Sequence, residues 1–341
     1  MTEGQSAMLT PRLDIARSNR SVVTLGKVQR EALDELKDRI ATGEMRFVHL
    51  DCPVCGGGSL SPVATRDRYG VACTTGVCTD CGLMQTNPYP DASSLDWFYA
   101  NIFARLHRGT TSPSTARFEG RRGLAHEVVG WLRQNGVPAS GLAVDVGCAS
   151  GGFLQGLVDN GYTGIGLEID ADYAADARSR GLDVRLSTIA GLAEAGEAVL
   201  VSYVQVLEHI VGVNDELAAL RARLSPGALV FIEVPGLTSV PTMYNKDVLR
   251  LLQLAHVWHF TPESLGNLMA KHGFETVAIT PYVRGLFRVP LETPATPPMR
   301  IETIAQVRER IARLERARLL YWRTWAIKAK AVLKRVLGRS H

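Results

Sequence analysis

The stretch AVDVGCASGGFL, residues 143–154, decides the reading of this chain: an apolar run carrying Asp145 passes into a glycine-rich turn and then into a helix start. Gly147, Gly151 and Gly152 let the backbone come close to a ligand, because they lack the side chain that would hold it off. The free amides at the start of the following helix favour a carboxylate or a phosphate. Glu168 ends the next apolar run, TGIGLEI, 21 residues after Gly147. That is where a nucleotide-binding strand–helix–strand unit carries its ribose-reading acid.

Outward from this turn, short apolar runs alternate with helical patterns: LAVDV, GGFLQGLVDN, TGIGLEI, ADYAADARSR, LDVRL, AVLVSYV, NDELAALRARL and ALVFIEV. The alternation predicts an α/β fold with a parallel sheet covered by helices on both faces. Asn214, followed by Asp215 and Glu216, is the expected cap of one helix, and Ser225-Pro226-Gly227 ends it. Thr261-Pro262-Glu263 opens another that Gly273 closes, and FETVAIT follows as a late strand. Upstream, Val28, Leu33, Leu36 and Ile40 repeat at helical spacing up to Gly43. Residues 95–134 read as helical in pieces, with aromatic anchors Trp97, Phe98, Tyr99 and Phe103 and a break at RGTTSPST.

These residues resemble a known family, the class I S-adenosylmethionine-dependent methyltransferases. DVGCASGG is similar to its first motif and GLEID to its second. VQVLEHI resembles the VLEH sequence common in its small-molecule members, and SPGALVFIEVPG the loop and fifth strand that follow. HVWHFTPESLGNLMAKHGFE, together with a preceding cysteine-rich module, resembles one bacterial subgroup, many of whose members accompany polysaccharide or sugar biosynthesis. The resemblance spans about residues 50–285.

It implies a doubly wound, Rossmann-like methyltransferase sheet with S-adenosylmethionine as cofactor. The acceptor would be a hydroxyl, less readily a carbon, of a small molecule, sugar or glycan. Asp145, Gly147, Gly151, Glu168 and Glu208 are then the candidate cofactor-binding residues. Two positions depart from the family pattern. Ala149 stands where glycine is usual, and Ser187 and Thr188 follow a third strand that usually ends in an acid near the adenine. The alternatives are an RNA methyltransferase and a non-catalytic S-adenosylmethionine-binding protein; the net-acidic body and the lack of an aromatic platform in the basic run argue against nucleic acid.

Five of six cysteines fall within thirty residues: Cys52, Cys55, Cys73, Cys78 and Cys81. Two Cys-x2-Cys pairs separated by 22 residues match a tetrahedral zinc site, with Cys52, Cys55, Cys78 and Cys81 as ligands. Four thiolates close the coordination sphere, so the metal is expected to be structural. Cys73 is either a free thiol on a strand or a substitute for Cys78.

Methyl transfer from a sulfonium is an in-line displacement with an activated electrophile, so the enzyme must align the nucleophile and, for a hydroxyl, remove its proton. His209, His256 and His259 fall in segments expected at the carboxyl edge of the sheet and are the candidate bases. Glu208 and Glu233 stand beside these segments and could orient an imidazole or a substrate hydroxyl. A carboxylate–imidazole metal site is conceivable there, though the spacing does not demand one.

The formal net charge of +4 conceals an asymmetry: residues 300–341 hold 12 Lys and Arg against 3 Glu, and the remainder 26 against 31 acids. Ile304, Val307, Ile311, Leu314, Tyr321 and Trp325 form a three-four stripe in that segment, interrupted by Arg318. Such a helix packs on its own body or on a second subunit, as in a homodimer; its basic face with Tyr321, Trp322 and Trp325 also suits an anionic membrane surface. The 46% apolar composition, with no span-length apolar run and no secretory start, reads as a cytoplasmic globular chain, with a peripheral membrane contact left open. The expected organisation is a helical extension (1–43), a zinc module (44–92), a helical linker (93–135), the catalytic domain (136–290) and a basic helical segment (291–341).

Overall fold

The computed structural model describes residues 10–292, 298–320, 325, 328 and 329. The chain opens with helix α1 (Lys27–Ala41), which buries Ala32, Leu33 and Leu36 as its periodicity requires. Five short strands follow: β1 (Phe47–Val48), β2 (Leu60–Arg66), β3 (Ala72–Cys78), β4 (Met84–Thr86) and β5 (Tyr89–Pro90). Next come α2 (Ala92–Phe98), a π-helical turn (Tyr99–Phe103), α3 (Ala104–Arg108) and the long α4 (Thr115–Gln134). The aromatic anchor Phe98 and the aliphatic Ile102 pack with Leu33, Leu36 and Leu106, so the linker helices and α1 share one cluster.

The predicted alternation then appears: β6 (Gly141–Val146), α5 (Gly152–Asp159), β7 (Tyr162–Glu168), α6 (Ala171–Ser179), β8 (Val184–Leu186), β9 (Ala198–Val204), α7 (Val213–Arg223) and β10 (Leu229–Glu233). Beyond short helical turns lie β11 (Trp258–His259), helix α8 (Pro262–Lys271), β12 (Glu275–Ile279) and β13 (Arg284–Arg288). The large sheet has seven strands in the order β12-β13-β10-β9-β6-β7-β8. Strands β6 to β10 are mutually parallel, as expected. The sheet is nevertheless mixed, which corrects the all-parallel expectation. A hairpin closed by Thr280 N–H to Arg284 C=O (2.9 Å) turns the chain back, so β13 runs antiparallel between β10 and β12. A tight turn needs no crossover helix, and RGLFR carried no strand–helix signal of its own.

One cap also differs from expectation. Helix α7 starts at Val213 with Gly212 as its cap, and Asn214 lies in its first turn, its Oδ1 2.9 Å from His272 Nε2. Asp215 and Glu216 in that turn supply the favourable charge instead.

The cysteine-bearing strands form a second sheet, ordered β11-β4-β3-β2. Its edge strand comes from the far side of the chain: Trp258 pairs with Gln85 and His259 with Met84. The cores are accordingly continuous, since Cys52, Cys78, Cys81 and Leu83 share a cluster with Val201, Tyr203, Ile232 and Trp258. Helix α9 (Ile304–Leu320) buries Val307, Ile311 and Leu314 against Leu13, Val63, Val77 and Leu251. Arg12 bridges its Glu315 (2.9 Å) and Asp247. Over its described part the apolar stripe therefore packs on this chain's own body, while Leu319, Leu320 and Trp325 are exposed. Tyr321 and Trp322 lie outside the described residues. Among the described residues no helix is long and apolar enough to cross a membrane.

Candidate active site and cysteine cage

The register of the large sheet sets Asp145 between Gly166 of β7 and Ser202 of β9. Asp145 is buried and accepts a hydrogen bond from Ser202 Oγ (2.7 Å); burial pushes its carboxyl up to about 7. Past β6 the chain turns through left-handed Gly147 (φ 67°), Ala149 (φ 49°) and Gly151 (φ 80°). A Cβ on Gly147 would lie 2.7 Å from Val206 Cγ2, and one on Gly151 2.3 Å from Leu182 Cδ1. Both glycines are thus required by conformation and by space. Ala149 N–H donates to Glu168 Oε2 (2.8 Å), while Glu168 Oε1 accepts from Ile169 N–H (2.8 Å) and Asp170 N–H (2.9 Å). The acid is held by three amides at the carboxyl end of β7, next to the start of α5, where folds of this kind take their ligands.

The second cluster is built where β9 ends. A single 3-10 turn, Leu207–His209, presents Glu208 and His209, and Val257 N–H donates to Glu208 C=O (3.0 Å). That bond brings in His256. Glu208 is fully buried and neither carboxylate oxygen has a hydrogen-bond partner; Oε1 lies 3.7 Å from His209 Nε2 and 3.9 Å from His256 Nε2. Burial pushes the Glu208 carboxyl up to about 8 and the His209 imidazole down to about 4, and it holds His256 well below the ordinary range. His209 Nδ1 stands 2.9 Å from Ala255 C=O, and a carbonyl only accepts, so Nδ1 carries the proton and Nε2 keeps its lone pair. Arg121 partly offsets the effect of burial on both Asp145 and Glu208.

His259 goes elsewhere. It lies on β11 inside the small sheet, 1% exposed, with Nε2 3.2 Å from Thr86 Oγ1. Thr86 itself donates to His256 C=O (2.8 Å), so its oxygen accepts from His259, whose imidazole burial drives down to about 3. The structure groups His209 and His256, with ring centroids 4.8 Å apart, and makes His259 a buried strand residue, because the segment is a turn and a strand and not a helix. Glu233 is taken by Arg284 Nε (2.7 Å). Sequence reasoning missed two wall residues: Tyr99, whose hydroxyl is 3.2 Å from His209 Nδ1, and Phe103, whose ring centroid is 5.7 Å from that of His209. Both stand on the π-helical turn, a feature frequent at functional sites.

The two Cys-x2-Cys segments adopt the same turn. Gly56 N–H donates to Cys52 C=O (2.8 Å) and Gly82 N–H to Cys78 C=O (3.0 Å). The turns face each other, with Cys52 Sγ 3.5 Å from Cys81 Sγ and Cys55 Sγ 3.4 Å from Cys78 Sγ; all four sulfurs lie within 4.8 Å of one another. Ligands about 2.3 Å from one tetrahedral ion stand about 3.8 Å apart, so the cage fits a single zinc. No disulfide joins them. Cys73 is buried on β3 among Tyr69, Val71 and Phe98, away from the cage.

Residues 122–279 match a family model described as a methyltransferase domain. This stretch is similar to a methyltransferase domain. It includes the glycine turn, Glu168 and the Glu208–His209–His256 cluster, and excludes the cysteine cage. Curated relatives include the ubiquinone biosynthesis O-methyltransferases of Brucella ovis and Brucella abortus, each 33% identical over 104 residues. That match covers 28% of this chain and 42% of each relative, so the chain spans less than half the length of the curated relatives it matches. Among solved structures, the magnesium protoporphyrin IX methyltransferase of Synechocystis PCC 6803 with bound SAH is 16% identical over 56% of this chain and 95% of that one, at a TM-score of 0.39. CalS10, an amino pentose methyltransferase from Micromonospora echinaspora, is 17% identical over 50% and 92%, also at 0.39. A cleft of about 1050 Å³ beside Pro262, Asn267 and Lys271 of α8 contains none of the candidate site residues.

Proposed function

We propose that the chain is an S-adenosylmethionine-dependent methyltransferase acting on a hydroxyl of a small molecule, sugar or glycan. The observation that carries this reading is the three-amide grip on Glu168 beside the left-handed glycine turn, inside the methyltransferase domain. Glu168 keeps lone pairs free for the ribose hydroxyls, and the amides at the start of α5 face the cofactor's carboxylate end. Asp145 supports the turn from beneath through Ser202.

S-Adenosylmethionine supplies a methyl group on a positively charged sulfur. The acceptor oxygen attacks that carbon in line, the O–C bond forms as the C–S bond breaks, and the electron pair stays on sulfur. The acceptor's proton must leave. Glu208, His209 and His256 form the site where it does so, with Tyr99 and Phe103 as the wall that excludes water. Cys52, Cys55, Cys78 and Cys81 hold a structural zinc in this reading, remote from the chemistry because the four thiolates leave no open position.

Calorimetry with S-adenosylhomocysteine tests the cofactor assignment, and labelled S-adenosylmethionine with a panel of hydroxylated metabolites and glycans tests the transfer. Absence of cofactor binding in the folded parent would overturn the reading; binding without transfer to any hydroxyl would restrict it to a binding protein.

A further inference from the structure

Glu208 poses a physical problem that the proposed methyl transfer does not by itself resolve. A carboxylate removed from water with neither oxygen hydrogen-bonded is costly, and such groups are normally neutralised, paired or bound to a cation. Two imidazole nitrogens stand at 3.7 and 3.9 Å, too far for hydrogen bonds. Those separations suit a shared centre instead: ligands about 2.1 Å from one ion stand about 3–4 Å apart. All three donor atoms fall within 4.8 Å of one another.

The surrounding bonds prepare the donors for that task. Ala255 C=O fixes the His209 tautomer, so that Nε2 offers its lone pair towards Glu208, an arrangement common around metal-bound imidazoles. His256 is buried, with Nδ1 unpartnered and Nε2 accepting from the Gln253 side-chain NH2, a bond that a cation at Nε2 would replace. Gln253 Oε1 is likewise buried without a partner.

We propose that Glu208, His209 and His256 bind a divalent first-row transition cation of the zinc class, with open positions that take the acceptor oxygen. One carboxylate and two imidazoles are a donor set that leaves coordination sites free, in contrast to the closed four-thiolate cage. The proposal rests on the methyltransferase reading for its acceptor, not for the metal. A hydroxyl bound there is acidified, and its proton passes to water at the exposed edge of His209. The resulting oxygen attacks the methyl carbon, and the C–S electron pair remains on sulfur.

Elemental analysis tests this on the full chain, equilibrated with excess zinc and freed of loose metal by gel filtration. The wild type is expected to retain one zinc per chain more than Glu208→Gln and His209→Ala, with circular dichroism confirming that both variants are folded. Identical zinc content in wild type and variants overturns the site. Should Glu208→Gln fail to fold, His209→Ala gives the same readout, since its ring is partly exposed. The count is independent of activity: a lost equivalent without cofactor binding in the parent would overturn the methyltransferase reading and leave the metal site standing.

Discussion

Ala149 and Glu168, at the ends of adjacent parallel strands, are joined by a 2.8 Å hydrogen bond from the Ala149 amide to Glu168 Oε2. The left-handed turn after β6 and the acid after β7 are therefore one unit. A substitution at either end disturbs both the glycine turn and the acid proposed to read the ribose of the cofactor.

Glu168→Ala is expected to weaken S-adenosylhomocysteine binding by about tenfold or more, since charge-assisted hydrogen bonds contribute about 1.5–3 kcal/mol. It also strands three amides, so thermal stability should fall in the absence of ligand. Titration calorimetry and a melting curve on the same preparation read the two effects; unchanged affinity would remove Glu168 from the cofactor site.

The glycine turn predicts opposite outcomes for two neighbouring changes. Gly151→Ala forces a Cβ to within 2.3 Å of Leu182 at a positive φ and should cost about 1–3 kcal/mol. Ala149→Gly relieves a left-handed alanine, at φ 49°, and should be neutral to within about 1 kcal/mol, because the gain is offset by a more flexible unfolded chain. Urea unfolding of the pair checks both signs.

Loss of the cysteine cage should not leave the methyltransferase domain intact. Cys52, Cys78 and Cys81 share one core with Trp258 and Tyr203, so Cys52→Ser should lower metal content and shift a single cooperative unfolding transition. Cys73→Ser should leave the metal content unchanged. A two-step unfolding curve in Cys52→Ser, with cofactor binding preserved, would contradict this coupling.

Asp67 supplies a pH test away from both clusters. It is fully buried, accepts hydrogen bonds from Tyr69 N–H (2.8 Å), Val71 N–H (2.9 Å) and Leu254 N–H (3.3 Å), and burial pushes its carboxyl from 3.8 up to about 6. The folded state then holds a proton that the unfolded chain has released. Its contribution to stability is complete below about 3.8 and is lost as pH rises through about 6, about 3 kcal/mol over the window. In denaturant titrations from pH 4 to 7 the wild type should lose about that much stability relative to Asp67→Asn, whose amide does not titrate, whereas parallel curves would exclude it.

Helix α9 belongs to the body over its described length. Ile311 is fully buried against the small sheet, so Ile311→Ala should cost about 2–5 kcal/mol. A surface helix would lose less than 1 kcal/mol in the same denaturation measurement.

Local signals determined much of this protein by themselves. Strand–helix alternation fixes the parallel strands β6 to β10, because each run buries its apolar residues within its own short segment. The glycine turn and Glu168 were legible because a left-handed turn and a strand-end acid need those residue types at that spacing, and the cysteine pairs because a four-thiolate cage needs two short turns. Only the tertiary structure decided the antiparallel β13, the sheet that joins Trp258 to Gln85, and the pairing of His256 with His209 at Glu208. It also brought Tyr99 to His209 across 110 residues. Pairings of that kind depend on which surfaces meet after the chain has collapsed, and no periodicity within a single segment encodes a partner supplied by another.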